Sequence, residues 1–395
     1  MWRVLEPRTP ESSLTVHFFT HYCHPAGTYF RFHNLARALC NLGHNVTVFA
    51  GDADTSASKR DEVREGVLYH IHPDWRGARV FGAACHPGTA WTRARRVYPR
   101  ADVIHLFQPF PSGTAAWHSA SRSARVRCFD WDDLWIGGLV KTSPFGISSS
   151  WMERSVNALE RQLPRRADHT TTCSGWLSHL AQTRGAAGTT VVPNGFWPAA
   201  PIDRAEARRR FGLADTAIVA GYMGHTVGEL SWCFDALARI AEQHPSLVLA
   251  VCGPSARALE SIDARMRSRI RYLGVLPPTD IPHFVAALDL GLLPLADSPF
   301  NRSRFPIKFA EYLGGGCSVL LSDVGECAVR AHDWPGVITA GTTSDAWCAA
   351  FASAIDRIAS GVELKVDMGV IERQLSWHVI GRDLDATYRR LLDAT

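Results

Sequence analysis

The chain has 395 residues, of which 46% are hydrophobic and 20% charged, and its formal net charge is +4. This composition is typical of a soluble globular protein, and the length favours two domains over one. No segment reaches the roughly 18 to 20 apolar residues that a membrane span needs. Nucleic-acid binding is disfavoured, because the excess of basic residues is modest and the sequence contains no known nucleic-acid-binding motif.

The charge is distributed unevenly along the chain. Residues 1–200 contain 22 Lys and Arg against 15 Asp and Glu, whereas residues 201–395 contain 20 against 23. The basic first half indicates contact with an acidic partner, an acidic substrate or a membrane surface. The first residues (MWRVLEPRTPESS) have no apolar segment typical of a secretory signal, so we do not expect export by that route.

The ten cysteines are dispersed and form no CxxC pair. We therefore expect reduced thiols in a cytoplasmic protein. Cys23 lies beside His21 and His24, which would fit a metal site, but no second ligand pair stands at the spacing of structural zinc sites. The sequence therefore predicts no metal and no cofactor.

The first half of the chain predicts a parallel sheet. Short apolar runs predict strands, and apolar residues at helical spacing between them predict helices. The predicted strands are 14–19, 45–50, 67–71, 101–107, 126–129 and 170–173, and the clearest helices are 32–42, 151–163 and 175–183. Residues 189–201 (TTVVPNGFWPAAP) then predict a strand, a Pro-Asn-Gly turn and a connector.

A second alternation of strands and helices follows the connector. The predicted strands are 217–222, 247–252, 270–273, 288–295, 318–322 and 336–339, and the helices are 230–242, around 256–268, 279–287, 344–359 and 371–394. Ligands of open parallel sheets bind beyond the carboxyl ends of the strands. Two such sheets facing one another would form a cleft between domains.

Residues 301–324 (NRSRFPIKFAEYLGGGCSVLLSDV) carry the strongest chemical pattern. They predict an arginine-bearing loop, a helix opening with Pro306 and a stop at Gly314–Gly316. Lys308 and Glu311 are three residues apart and share a helix face near the N-terminus, where an anion is favoured. A lysine there suits phosphate, and a carboxylate one turn further suits sugar hydroxyls.

Several segments together resemble the GT-B glycosyltransferases, specifically the retaining family 4. These are GTYFRFHNLARALCNLGHNVTVFAG, ADVIHLFQP, VVPNGFW, GYMGHTVGEL, AVCGPS, IRYLGVLPPTDIPHFVAALDLGLLPL and FPIKFAEYLGGGCSVLLSDVGE. The resemblance implies two Rossmann-like domains whose parallel sheets face one another across a cleft. It implies an acceptor-binding domain at 1–198, with a C-terminal helix at 376–395 packing back on it, and a domain binding the nucleotide sugar at 199–375.

The resemblance also implies a donor site in the second domain. Glu311 matches the second Glu of the family's Glu-x7-Glu signature, which binds ribose hydroxyls, whereas Ser303 stands where the first Glu is usual. The family's cation pair after the glycine loop is absent from 224–229, and Arg302, Arg304 and Lys308 are the best substitutes for it. Of these, Arg304 and Lys308 are the expected catalytic residues, and a solvated loop face is the alternative for either arginine. Residues expected to line the donor site are Gly27, Thr28, Arg31, Gly224, His225, Gly253, Val275, Leu276, Ser303 and Glu311.

The candidate acceptor residues follow strands of the first domain. The segment FDWDDLW (129–135) would place carboxylates and indole rings at a strand end, where they suit polyhydroxyl groups and sugar rings. An Asp-rich helix cap is the alternative for any single Asp. His105 is a candidate as well, although a core histidine is the favoured interpretation. The expected acceptor-binding residues are Asp130, Trp131, Asp132, Asp133 and His105.

A metal-independent, retaining transfer of a hexose from a UDP- or GDP-sugar to a hydroxyl-type acceptor is therefore the leading hypothesis. The acceptor would be a saccharide, a lipid-linked molecule or a small molecule. The alternatives are a sugar-nucleotide epimerase or hydrolase on the same scaffold and a catalytically inactive partner that binds a nucleotide sugar. A nicotinamide dehydrogenase is disfavoured, because no GxGxxG motif follows the first predicted strand. The basic stretch RARRVYPR (93–100) fits either peripheral contact with anionic lipid at the inner membrane face or a solvated surface.

Overall fold

A computed structural model describes residues 13–25, 27–52, 54, 58–73, 85–135, 149–224, 227–253, 262 and 264–395. The chain divides into two compact units. Unit 1 comprises Met1–Asn194 together with Trp377–Thr395, and unit 2 comprises Gly195–Ser376. None of the helices in the described part of the chain is long and apolar enough to cross a lipid bilayer.

Unit 1 is built on an eight-stranded sheet in the order β3-β4-β2-β1-β5-β6-β7-β8. All neighbouring strands are parallel except β3, which is antiparallel to β4. The strands are β1 Thr15–Phe19, β2 Asn45–Asp52, β3 Arg60–Arg64, β4 Val67–Pro73, β5 Ala101–Phe107, β6 Ala124–Trp131, β7 His169–Thr172 and β8 Thr189–Val191.

The first helix of unit 1 buries an apolar face. Its residues Phe32, Leu35, Ala36 and Leu39 are buried at helical spacing. The helices are Tyr29–Asn41, Pro87–Ala94, Pro111–Ala120, Ser149–Arg166, Gly175–Thr183 and the C-terminal Trp377–Asp393, with a 3-10 turn at Ser121–Ser123.

Unit 2 contains a six-stranded, wholly parallel sheet in the order β11-β10-β9-β12-β13-β14. Its strands are β9 Ile218–Met223, β10 Leu247–Cys252, β11 Ile270–Tyr272, β12 Leu290–Leu293, β13 Ser318–Ser322 and β14 Val337–Ala340. Its helices are Arg204–Phe211, Val227–Ile240, Ala264–Arg267, Ile281–Ala286, Pro299–Ser303, Ile307–Gly314, Gly325–Ala331, Ser344–Ala359 and Met368–Leu375, with a 3-10 turn at Pro278–Asp280.

The predicted α/β class with two parallel-dominated sheets is confirmed. The strand Arg60–Arg64 was not predicted, because its sequence RDEVR has few apolar residues. It lies at the edge of the sheet, where charged side chains are common. The predicted helix 371–394 is in fact two helices separated at Ser376, which has extended backbone angles. Part of the predicted helix around 256–268 lies outside the described residues.

Candidate active site

Two glycines of unit 2 lie at the carboxyl ends of neighbouring strands. Gly224 follows β9 and Gly253 follows β10, and the Gly224 N–H donates to the Cys252 carbonyl oxygen at 3.1 Å. A Cβ on Gly253, whose φ is +136°, would lie 2.0 Å from the Gly224 carbonyl oxygen. Position 253 therefore requires glycine, because any side chain would collide with this backbone. The pair lies where parallel sheets bind their ligands.

A buried tyrosine fixes the helix Ile307–Gly314 against β9. An added Cβ on Gly291 would come within 2.6 Å of the Tyr312 ring, so the absence of a side chain at Gly291 makes room for the ring. The Tyr312 hydroxyl accepts from the Met223 N–H at 2.9 Å and donates to the Gly221 carbonyl oxygen at 3.2 Å. These contacts hold the helix at the carboxyl end of β9.

Two cations of unit 2 share one buried carboxylate. Arg304 pairs with Glu229 Oε1, and Lys308 Nζ lies 3.5 Å from Glu229 Oε2. The side chains are 8% exposed for Glu229, 13% for Lys308 and 17% for Arg304. The Tyr222 hydroxyl donates to Glu229 Oε2 at 3.3 Å, and its ring centroid lies 4.7 Å from Lys308 Nζ. A Cβ on Gly224 would lie 3.0 Å from Nζ, so the ammonium is beside this glycine.

This cluster is suited to an anion. Arg304 and Lys308 carry two positive charges and Glu229 carries one negative charge, so the cluster has a net positive charge. A guanidinium and an ammonium can both donate hydrogen bonds to the oxygens of a diphosphate. Burial lowers the pKa of Lys308 from its usual value, and Glu229 opposes the shift. An incoming phosphate would favour the charged ammonium in the same way.

Glu311 lies on the same helix as Lys308, one turn further along. Burial raises the pKa of its carboxyl to about 7, and Lys308 opposes the rise. No described residue forms a hydrogen bond with this carboxyl. An ionised carboxylate with both oxygens open can accept from two neighbouring hydroxyls. The sequence placed Lys308 and Glu311 on one face from their spacing alone, and the structure shows them on one helix.

The segment before this helix differs from the expected loop. Ser298 caps a short helix, Pro299–Ser303, by accepting from the Asn301 N–H at 3.2 Å, and Pro299 suits its first turn. The following helix begins at Ile307, with Pro306 as its cap rather than its first residue. The extended backbone of Arg304, between the two helices, points its side chain to Glu229.

The other predicted donor residues occupy different environments. Ser303 is buried, and its hydroxyl donates to the Phe300 carbonyl oxygen at 2.7 Å. Arg302 forms a two-point pair with Asp297 at 2.6 Å on the surface. Val275 is 71% exposed and Leu276, beside it, is half-buried in the turn after β11. His225 lies outside the described residues.

Arg31 and Asp130 form a buried ion pair in unit 1. The guanidinium donates to both Asp130 oxygens, at 2.7 and 2.8 Å, and to Asn194 Oδ1 at 3.1 Å. Arg31 is 2% exposed and Asp130 is fully buried. Asp130 also accepts from the Thr171 hydroxyl at 2.6 Å. The sequence predicted that Arg31 binds the donor and that Asp130 binds the acceptor. In the structure these two side chains are paired with each other.

His105 is enclosed in the same part of unit 1. Its Nδ1 lies 2.6 Å from the Tyr388 hydroxyl and its Nε2 lies 3.0 Å from the Thr171 hydroxyl. Burial lowers its pKa to about 3, so the ring is neutral near pH 7. Because both ring nitrogens are occupied, the geometry matches the core histidine that the sequence favoured.

Thr28, Gln108 and Asp132 form a buried chain of hydrogen bonds. The Gln108 amide donates to the Thr28 hydroxyl, which donates to Asp132 Oδ2 at 2.5 Å. Gln108 Oε1 and Asp132 Oδ1 are buried without a hydrogen-bond partner among the described residues. Burial raises the pKa of Asp132 well above its usual value, and the charges of Asp133 and Asp130 add to the shift. Two unpaired polar atoms within one hydrogen-bonded network could be satisfied by a ligand hydroxyl.

Gln108 is also strained. Its φ of +70° lies in the left-handed region, which is rarely adopted by residues other than glycine, asparagine and aspartate. Such strain costs on the order of 1 to 3 kcal/mol and is concentrated at functional positions. Gly27, with φ +55°, lies in the turn that leads through Thr28 into the helix Tyr29–Asn41.

The indole of Trp131 is directed into the core. It is fully buried, and its Nε1–H donates to the Asp133 carbonyl oxygen at 2.9 Å and to Glu160 Oε1 at 3.1 Å. Glu160 also accepts from the Trp135 N–H at 2.8 Å. The expected stacking of Trp131 on a sugar would therefore require this side chain to leave the core. Asp133 is half-buried.

The basic stretch 93–100 is only partly a surface feature. Arg93 is 2% exposed and donates to the carbonyl oxygens of Thr20 and Phe49 at 2.7 and 2.9 Å. Arg95 and Arg100 are exposed, and the Arg95 guanidinium lies 4.9 Å from the ring centroid of Trp91. Arg93 thus connects the backbone just after β1 to that of β2. Contact of the remaining arginines with lipid stays a prediction.

Sequence reasoning missed two residues of these clusters. Glu229 lies near the start of the helix that follows β9 and Gly224. The sequence showed that the family's usual cations are absent from this segment, but it gave Glu229 no role. Gln108 is the first residue after β5, and its position at a strand end was the available signal. Neither pairing could be read from spacing, because Glu229 is 75 residues from Arg304 and Gln108 is 80 from Thr28.

Solved structures with the same fold define the class. Sucrose-phosphate synthase from Thermosynechococcus elongatus superposes with a TM-score of 0.76 at 16% identity, covering 96% of this chain and 99% of that one. HepE from Anabaena in complex with UDP-glucose gives a TM-score of 0.65 at 16% identity, covering 95% and 100%. The fold is therefore GT-B.

The family models agree with the fold. The Glycosyltransferase Family 4 model matches residues 27–198, and the Glycosyl transferases group 1 model matches residues 214–360. The chain belongs to the GT-B glycosyltransferases of family 4, also described as group 1. The resemblance inferred from the motifs is confirmed.

Two curated relatives match parts of the chain. The "Putative teichuronic acid biosynthesis glycosyltransferase TuaH" of Bacillus subtilis (strain 168) is 25% identical over 229 residues, 56% of this chain and 55% of the relative. The 2-deoxystreptamine glucosyltransferase of Streptomyces kanamyceticus is 32% identical over 169 residues, 39% of this chain and 44% of the relative. The chain thus spans about half the length of these curated relatives.

Proposed function

We propose that the protein transfers a sugar from a nucleoside-diphosphate sugar to a hydroxyl-type acceptor. The observation that carries this proposal is the cluster of Arg304, Lys308 and Glu229 beside Gly224, at a strand end of unit 2. The donor would be a UDP- or GDP-sugar. A UDP-hexose is the first to test, since the HepE structure holds UDP-glucose and one relative is named a glucosyltransferase.

In the proposed reaction the cations stabilise the departing diphosphate. Negative charge develops on the leaving oxygen as the bond to the anomeric carbon breaks, and Arg304 and Lys308 would neutralise it. The diphosphate can take the proton of the acceptor hydroxyl on the same face of the sugar, which gives retention. No protein nucleophile is needed, and the role of this chain is charge stabilisation and orientation.

The proposed acceptor site lies in unit 1, around Gln108, Asp132 and Asp133. It includes Thr28, which the sequence had grouped with the donor residues, because Thr28 is hydrogen-bonded to both Gln108 and Asp132. The unpaired Gln108 and Asp132 oxygens supply one hydrogen-bond acceptor and, with Asp132 protonated, one donor for a substrate hydroxyl. Asp130, Trp131 and His105 would support this site from the core, because their polar atoms are used within unit 1.

A ligand screen tests the proposal. UDP, GDP and their glucose and mannose esters are compared for their effect on thermal unfolding, because a ligand that binds the folded chain stabilises it by mass action. The expected result is saturable stabilisation by one nucleotide family, followed by a glycosylated product whose anomer is identified by NMR. Epimerised or free sugar without an adduct would favour the epimerase or hydrolase alternative. Binding without any turnover across an acceptor panel would favour an inactive binding partner.

Donor binding is expected to strengthen as the pH rises through about 7. The ionised form of Glu311 accepts from ribose hydroxyls, and burial raises the pKa of this carboxyl to about 7, so the binding form accumulates above that pH. The dissociation constant of a UDP-sugar measured by calorimetry from pH 6 to pH 8 checks this. The sugar ester is the right probe, since free UDP titrates itself in this range. Glu311→Gln should remove the dependence, and an unchanged pH profile in that variant would contradict the assignment.

Substitutions at Gln108 and Asp132 are expected to affect the acceptor and not the donor. Loss of a hydrogen bond from a buried site costs about 1 to 2 kcal/mol, so kcat/KM for the acceptor should fall about 10-fold in Gln108→Gly and in Asp132→Ala. Glycine is chosen at position 108 because it adopts the left-handed conformation without strain. Asp132→Asn should remain close to the parent, because an amide imitates a protonated carboxyl. Weakened UDP-sugar binding in these variants would place the residues in the donor site instead.

A further inference from the structure

Cys23, His24 and Asp52 come together at one edge of the unit 1 sheet. Cys23 and His24 lie in the loop after β1, and Asp52 ends the neighbouring strand β2. One ligand atom from each residue lies within 4.8 Å of the other two, and His24 Nε2 is 3.2 Å from Asp52 Oδ1. The sequence had grouped Cys23 with His21 and His24, but the His21 ring packs on Phe110 with a centroid distance of 4.2 Å.

A thiolate, an imidazole and a carboxylate form a ligand set that suits zinc. Zinc–ligand bonds of about 2.0 to 2.3 Å in a tetrahedral site place ligand atoms roughly 3.3 to 3.8 Å apart. The His24–Asp52 separation already has about this value. The Cys23 sulfur lies within 4.8 Å of the other two ligand atoms and would have to approach them by at most about 1.5 Å to complete the set.

The surroundings orient two of the three ligands. Arg60 donates to Asp52 Oδ2 at 2.8 Å, and the Asp54 N–H donates to Oδ1 at 2.9 Å, so the carboxylate is held with Oδ1 towards His24. Arg64 donates to the Cys23 carbonyl oxygen at 2.5 Å and fixes the backbone of that residue. Such outer hydrogen bonds set the direction of metal ligands. The His24 side chain is 56% exposed, which gives an ion access from solvent.

We propose that Cys23, His24 and Asp52 bind a divalent zinc-class ion, with solvent as the fourth ligand. Three ligands with an open fourth position bind less tightly than a closed structural site, and the positive charges of Arg60 and Arg64 reduce the affinity further. The ion would connect the loop after β1 to the end of β2 and so restrain the segment that leads to Gly27 and Thr28. This site shares no residue with the Arg304–Lys308 cluster and does not depend on the proposed transfer reaction.

Cobalt spectroscopy on the full chain tests the site. Co²⁺ added to the metal-free protein should bind saturably, with one equivalent giving tetrahedral d–d absorption and thiolate-to-cobalt charge transfer, and Zn²⁺ should displace it. His24→Ala, a change at an exposed side chain, should weaken binding by at least about 10-fold. Cys23→Ser should remove the charge-transfer band while folding, followed by circular dichroism, is retained.

His332→Ala is the matched control. His332 also pairs with a neighbouring carboxylate, Asp333 at 2.9 Å, but on an exposed surface, and among the described residues it belongs to no group of three potential metal ligands. Its loss should leave cobalt binding unchanged. Charge transfer of equal intensity in Cys23→Ser, equal affinity in His24→Ala, or no saturable cobalt binding in the parent would each overturn the proposal.

Discussion

Replacing Lys308 with alanine is expected to lower kcat/KM for the nucleotide sugar by about 100-fold, as loss of one preorganised charge-stabilising group commonly does. The ammonium lies beside Gly224 and shares Glu229 with Arg304. Its removal would leave Arg304 largely neutralised by Glu229, so the surplus positive charge that attracts a diphosphate would disappear. Steady-state kinetics, with UDP affinity by calorimetry, measure both consequences.

Arg302→Ala is the control for this prediction. Arg302 lies six residues from Lys308 and carries the same charge, but its side chain is 52% exposed and paired with Asp297. Exposed pairs of this kind contribute about 0 to 1 kcal/mol, so its loss should change neither binding nor turnover by more than a few-fold. Normal kinetics with saturable donor in Lys308→Ala would show that the lysine is wrongly assigned. Equal damage in both variants would point to general electrostatic attraction instead of a specific site.

Replacing Arg31 with methionine is expected to destabilise unit 1 by about 3 to 5 kcal/mol. Methionine fills similar volume but leaves the fully buried Asp130 without its two-point partner, and an unpaired buried carboxylate is costly. Denaturant unfolding measures the loss. Hydrogen exchange followed by mass spectrometry locates it, because peptides of β1 and β6 should lose protection while those of unit 2 keep theirs.

The partner substitution completes the test. Asp130→Asn should also destabilise unit 1, and the double variant should lose less than the sum of the single losses, since both remove one interaction. The same experiment decides the role of Arg31. If Arg31→Met kept the stability of the parent while the donor KM rose sharply, the arginine would be a donor ligand, as the family resemblance of the motifs implied, and not a structural residue.

The sequence determined most strands and several helices because the signals for them are local. Ala101–Phe107, Leu247–Cys252 and Ser318–Ser322 are apolar runs ended by turn residues, and their bounds match the prediction. Periodicity fails where a strand has little apolar content, as in Arg60–Arg64, or where two helices meet without a glycine or proline, as at Ser376. The shared face of Lys308 and Glu311 was likewise predictable, since three residues make nearly one helical turn.

The tertiary structure alone decided which charges and polar groups meet. Arg31 and Asp130 are 99 residues apart in sequence, and Lys308 and Glu229 are 79 apart. Their meeting depends on strand order and on the register of parallel strands, which bring distant strand ends to one edge of a sheet. Residue type made Arg31 and Trp131 look like ligands for a substrate, but burial gave both of them partners inside unit 1. His105 has such partners too, as expected of the core histidine that the sequence favoured. The fold also brings Gln108 to Thr28 and Asp52 to Cys23. These contacts could not be predicted, because no local sequence pattern encodes a contact between residues that are distant in the chain.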